Sequence, residues 1–123
     1  MTVRIAAVLA AGLAALAGCA RGPIHGQLTL PGQRPQSVAM RYESSLFGKT
    51  GKLFAELPDG ETFSGPYLLD PSAPDRTMIS TLAGDRGNSM VCRFLLNTPG
   101  IGPDGGGRVS CQVSSGGAFD ASF

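Results

Sequence analysis

Ser89-Met90-Val91-Cys92-Arg93-Phe94-Leu95-Leu96 and, after a glycine-rich connection, Arg108-Val109-Ser110-Cys111-Gln112-Val113 decide the class of this chain. Met90, Cys92, Phe94 and Leu96 share one face of an extended segment, and Val109, Cys111 and Val113 share one face of the next. Successive side chains of a strand point to opposite sides, so a period of two marks a half-buried strand. Both cysteines lie on the apolar faces.

The same alternation continues outward. Val38, Met40 and Tyr42 mark one strand, Leu53, Ala55 and Leu57 the next, Met78 to Leu82 a short one, and Phe119, Ala121 and Phe123 the last. Pro58-Asp59-Gly60 joins the Leu57 strand to one around Thr62 to Ser64. Proline presets the turn and glycine supplies positive φ, so this is a hairpin connection. Pro66 to Pro74 reads as a connecting loop. With 18 glycines, nine prolines and no tryptophan, the composition suits short strands and tight turns. No amphipathic helix is evident past the N-terminal segment. The expected fold is all-β: a small antiparallel sandwich or barrel of about six to eight short strands.

An internal likeness organises these strands. Gly51-Lys52-Leu53-Phe54-Ala55-Glu56-Leu57, then Gly60 and Phe63, lies over Gly107-Arg108-Val109-Ser110-Cys111-Gln112-Val113, then Gly116 and Phe119, without a gap. Upstream, Met40-Arg41-Tyr42 lies over Cys92-Arg93-Phe94 if the second connection is four residues longer. Either two three-strand meanders face each other, or alternating strands around a glycine turn are alike by chance. On this alignment Met40 and Ala55 take the places of Cys92 and Cys111.

The N-terminus has another character. Arg4 is followed by an apolar run from Ile5 to Leu16 and then by small residues, the layout of a secretory signal. A run of about a dozen apolar residues is short for a spanning helix, which needs roughly 20. Leu16-Ala17-Gly18-Cys19 resembles the lipobox at which bacterial prolipoproteins are lipidated and cut. The resemblance implies a signal peptide over 1–18, diacylglyceryl and acyl chains on Cys19, a lipidated tether over 19–26, and one β-domain over 27–123. Several acyl chains hold a protein firmly at a membrane, where one holds it only marginally. Ala20 is not the aspartate that favours inner-membrane retention in enterobacterial lipoproteins. The implied address is therefore the inner leaflet of the outer membrane, facing the periplasm.

With Cys19 committed to lipid, Cys92 and Cys111 remain, and an oxidising periplasm favours their pairing. If the two strands pair antiparallel with these residues opposite, their Cα atoms stand roughly 4.5 to 5.5 Å apart, within disulfide range. Two thiols and the lone His25, which falls in the tether, make a poor metal set. Of ten basic side chains Arg4 leaves with the signal, so nine face nine acidic ones. Recognition of nucleic acid by bulk charge is not expected, and neither is a cofactor.

Three segments look functional. Gly100-Ile101-Gly102-Pro103-Asp104-Gly105 has the letters of a dinucleotide fingerprint, but a strand and not a helix follows, so it reads as a flexible connection. Asp85-Arg86-Gly87-Asn88-Ser89 concentrates polar groups on a scaffold loop; Asp85, Arg86 and Asn88 are candidate partner contacts and also ordinary turn residues. Leu46 and Phe47 would expose large apolar groups at a hairpin tip, or fold back on the core. Glu56, Asp59 and Glu61 gather around a turn as solvated charge would. No base stands beside a nucleophile in the pattern, so catalysis is not expected.

The chain thus resembles small Gram-negative lipoproteins. The resemblance implies a non-enzymatic binding or structural module of the envelope, with an envelope protein as partner. A lysozyme-inhibitor-like lipoprotein is the alternative, and a peptidoglycan hydrolase is the third class.

Overall fold

The computed structural model describes residues 21–44, 49–70 and 72–123. Eight antiparallel strands follow one another around a closed barrel: β1 (Arg21–Thr29), β2 (Gln36–Ser44), β3 (Thr50–Glu56), β4 (Thr62–Leu68), β5 (Thr77–Gly84), β6 (Ser89–Leu96), β7 (Gly107–Val113) and β8 (Ala118–Ser122). Among the described residues a 3-10 turn, Gly102–Gly105, precedes β7. The alternation behaves as the sequence predicts: in β7 each of Gly107, Val109, Cys111 and Val113 is buried and each residue between is exposed.

Two boundaries differ from the sequence reading. Residues 21–26, expected as a spacer, are the first part of β1, where Arg21 to Leu28 pair with Glu43 to Gln36. Ile24 is fully buried there, and Pro23 and the two nearby glycines hide the strand from a propensity reading. His25 is consequently an outward residue of the barrel wall. The segment read as a loop from Pro66 likewise begins as strand, since β4 runs through Pro66 to Leu68. The β4–β5 ladder is limited to Phe63↔Gly84 and Ser64↔Ala83 and does not include Pro66, which has no N–H to give, although the two strands still pack closely at Gly65.

The internal likeness reaches further than three strands. Met40 faces Ala55 and Cys92 faces Cys111, Ala55 faces Phe63 and Cys111 faces Phe119. Ile24 faces Met40 as Ser80 faces Cys92, which adds β1 and β5 to the correspondence. The seams agree as well, with Phe63↔Gly84 on one side and Phe119↔Leu28 on the other. β1–β4 and β5–β8 are thus two four-strand units in matching register. Each unit advances the register by four residues: from Ile24 the pairs lead to Gly84, four past Ser80, and from Ser80 they lead to Leu28, four past Ile24. Eight strands with so small a stagger enclose a space that side chains fill.

That space is filled. Phe63, Phe94 and Phe119 are at most 2 % exposed and pack with Ile24, Leu28, Leu53, Leu82 and Met90. The gap between Val38, Met40, Ala55, Leu57, Met90 and Phe119 has no room for a water molecule. Glycine permits the close seams: a Cβ on Gly65 would run into the Thr81 carbonyl, and one on Gly26 into the Asp120 carbonyl.

Where β1 begins, the barrel end is closed by tyrosines. Tyr42 donates a hydrogen bond to Asp104 of the 3-10 turn, and the Tyr67 hydroxyl lies 2.9 Å from Ser44 Oγ. Burial, the hydrogen bond to Asp104 and its negative charge push the Tyr42 pKa up to about 12. Tyr67 is also raised, chiefly by burial. The folded state therefore prefers neutral Tyr42 more strongly than the unfolded chain, whose tyrosines titrate near 10. Its contribution to stability is complete below pH 10 and is lost as pH rises toward 12. Urea midpoints should fall across that window in the wild type. Tyr42→Phe should start about 1 kcal/mol lower at neutral pH and fall less steeply.

Candidate functional site

The rim opposite the start of β1 carries the four hairpin turns, and three of them are knitted together by one carboxylate. Glu61 is 1 % exposed, which corrects its reading as solvated charge. It shares strand parity with Phe63 and points inward. Its Oε2 accepts the backbone N–H groups of Arg86 (3.1 Å) and Asn88 (3.2 Å), and its Oε1 accepts Asn88 Nδ2 (2.7 Å). Asn88 Oδ1 in turn accepts the Ser114 hydroxyl at 3.1 Å, and Ser114 Oγ accepts the Ser89 N–H at 2.9 Å. Gly84 leaves space for this arrangement, because a Cβ there would run into Glu61 Oε2.

The residues singled out in the β5–β6 connection acquire distinct roles. Asp85 Oδ1 accepts the Thr62 N–H at 3.0 Å, and the Thr62 backbone and side chain hold its carboxyl below the usual aspartate range. Asn88 is engaged with Glu61 and Ser114, so its amide orders the rim. Arg86 donates to the Asp59 carbonyl at 2.6 Å while its side chain stays exposed. Of the three, Arg86 presents the most to a partner. The proposed lipidation residue Cys19, and Leu46 and Phe47 of the β2–β3 connection, lie outside the described residues.

Cys92 and Cys111 form a disulfide between β6 and β7, fully buried, with Cα atoms 4.0 Å apart. This is closer than the facing-pair spacing the sequence suggests. Beside it stands Ser80, whose buried Oγ has no hydrogen-bond partner among the described residues.

A second surface feature was not legible as a motif. A groove of about 710 Å³ runs along the outer wall over β5–β6–β7–β8–β1 and brings together His25, Asp75, Arg93, Arg108, Ser110 and Asp120. The two units differ here: on the first, Arg41 lies over the Phe54 ring at 4.7 Å beside a smaller hollow of about 400 Å³, and at the matching place of the second Ser110 faces Arg93. Arg93 turns toward Asp75 at 3.9 Å, an exposed pair of little energetic weight. Among the described residues no hydrogen bond joins His25 to Asp120 or to Ser110. The groove offers mixed charge and hydroxyls suited to holding a polar ligand.

Among the described residues no cluster of three His, Cys, Asp or Glu is placed to hold a metal ion. The glycine-rich stretch before β7 forms a four-residue 3-10 turn followed by strand, which has no helix dipole to hold a phosphate. No protein-family model, curated protein or solved structure matches the chain.

Proposed function

We propose that this chain is a lipid-anchored, non-enzymatic module of a bacterial envelope, attached through Cys19 and facing the periplasm from the outer membrane. The observation that supports a surface-binding role is the filled interior. With three phenylalanines packed inside the barrel, a partner or ligand must be met on the outside. Two outer features suit that role: the rim stiffened by Glu61, with Arg86 exposed on it, and the groove around Arg93 and Arg108.

Metabolic labelling with palmitate in a diderm host tests the anchor. Label should enter the wild type and be absent from Cys19→Ala, and equal labelling would remove the anchoring. Crosslinking at Arg86 in cells should capture an envelope protein, and capture should fall in Arg86→Ala. The lysozyme-inhibitor alternative is examined with a soluble chain that begins at Ala20, because β1 already begins at Arg21. Loss of lysozyme activity at micromolar concentration would move the proposal to that class. The hydrolase reading requires peptidoglycan turnover that Asp120→Asn abolishes.

A further inference from the structure

We infer that the rim on which β1 begins is seated on the bilayer, holding the barrel upright with the Glu61 rim pointing away from the membrane. This rests on lipidation of Cys19. The decisive observation is the missing spacer: Arg21 is already paired with Glu43 in the barrel wall. Two residues from Cys19 to Arg21 reach at most about 7 Å even when fully extended. The headgroup layer is itself only about 5 to 8 Å deep on each side of the hydrocarbon. A barrel tied this closely cannot stand clear of the surface.

Which part of the barrel meets the lipid follows from where apolar side chains remain exposed. Leu68, at the end of β4, is 67 % exposed, and Ile101, in the β6–β7 connection, is 55 % exposed. The strand order separates Arg21, Leu68 and Ile101 around the same rim. They provide three points of support, so the rim can rest flat. The turns of the opposite rim, 30–35, 57–61, 85–88 and 114–117, contain no exposed large apolar side chain among the described residues. Charge does not favour another pose, since Lys49 and Arg76 on the seated rim are accompanied by Asp70 and Asp75.

The competing pose lays the barrel on its side. Ile79 and Val91 are also exposed, at 66 % and 46 %, but they lie on the outer wall of β5 and β6. Leu68 would touch lipid in either pose, whereas Ile101 favours the rim and Val91 the wall. In the upright pose, strands of seven to nine residues, rising about 3.3 Å per residue with a tilt near 40°, lift the Glu61 rim roughly 20 Å above the headgroups. Arg86 is then displayed outward, and the groove opens sideways near the surface.

The chain contains no tryptophan, so single substitutions give unambiguous fluorescence. Leu68→Trp, Ile101→Trp, Val91→Trp and Arg34→Trp are made in the full chain, produced with its native lipidation. Each is reconstituted in phosphatidylethanolamine/phosphatidylglycerol vesicles containing headgroup spin-labelled lipid. All four positions are exposed, so the substitutions leave the core intact. Leu68→Trp and Ile101→Trp should lose about half their emission and shift to the blue, while Val91→Trp and Arg34→Trp stay bright. Quenching of Val91→Trp with a bright Ile101→Trp would overturn the upright pose in favour of the wall. Four bright variants on an acylated chain would overturn membrane seating while leaving the anchor in place. An intact mass without acyl chains on Cys19 would overturn the anchor and the seating together.

Discussion

Cys92→Ala/Cys111→Ala should melt roughly 10 to 20 °C below the wild type under oxidising conditions. The bridge spans 19 residues of sequence, and releasing a closed loop of that size from the unfolded state costs about 3 kcal/mol in the chain-entropy account. Truncating two buried side chains adds to this, because both cysteines are wholly inside. The matching units supply a sharper test than deletion. Met40 opposite Ala55 occupies in the first unit the place of the disulfide in the second, with Ile24 beside it where the second has the smaller Ser80. Cys92→Met/Cys111→Ala therefore transplants a pairing the fold already uses, and Ser80 leaves room for the longer side chain. It should regain about 1 to 2 kcal/mol over the alanine pair by burying the methionine. Thermal unfolding of both variants, with and without reductant, measures the difference. A transplant melting no higher than the alanine pair would show that the matched register does not carry matched packing. A wild type whose melt ignores reductant would show that the bridge contributes little.

Legibility followed the period-two signal. β2, β3, β6, β7 and β8 were plain because their inward residues are large and apolar, and the Cys92 and Cys111 parity placed both thiols inside. β1 was hidden by Gly22, Pro23, His25 and Gly26, which suit the seams and are weak strand formers. The end of β4 is hidden by Pro66, because a proline argues against a strand paired on both sides, whereas here the β4–β5 ladder stops at Ser64↔Ala83. The repeat is visible in β2–β4 and β6–β8 but not in β1 and β5. Ile24 and Ser80 share a position in the ladder, not a residue type. At the candidate site, turn chemistry identified the β5–β6 connection. It missed that Glu61, 24 to 27 residues earlier, organises that connection from inside. The groove was illegible for a different reason: its lining comes from β1, β5, β6, β7 and β8, far apart in sequence, and no local pattern joins them.

Glu61→Ala should lower stability by about 3 kcal/mol and loosen one rim before it unfolds the barrel. The carboxylate takes three hydrogen bonds from the β5–β6 connection, two of them from backbone N–H groups, in a place that is 1 % exposed. Removing the acceptor leaves Arg86 N–H, Asn88 N–H and Asn88 Nδ2 without their partner. Asn88 also loses the support that aligns it with Ser114. Hydrogen exchange distinguishes this from a general loss of packing. The amides of Arg86 and Asn88 should exchange much faster in the variant at a denaturant concentration where the β6 and β7 amides still exchange as in the wild type. Glu61→Gln is the stricter comparison, because it keeps the volume. With the Asn88 amide as it stands, one orientation turns the glutamine nitrogen toward the two backbone donors and the other toward Asn88 Nδ2; only a flip of Asn88, which gives up the hydrogen bond from the Ser114 hydroxyl, restores its three bonds to Asn88 and Arg86. It should fall between the wild type and Glu61→Ala. If the glutamine variant matched the wild type in both stability and exchange, packing around Glu61, and not acceptance of these hydrogen bonds, would be what stiffens the rim. If both variants left the Arg86 and Asn88 amides protected, the rim would owe its order to the turns alone.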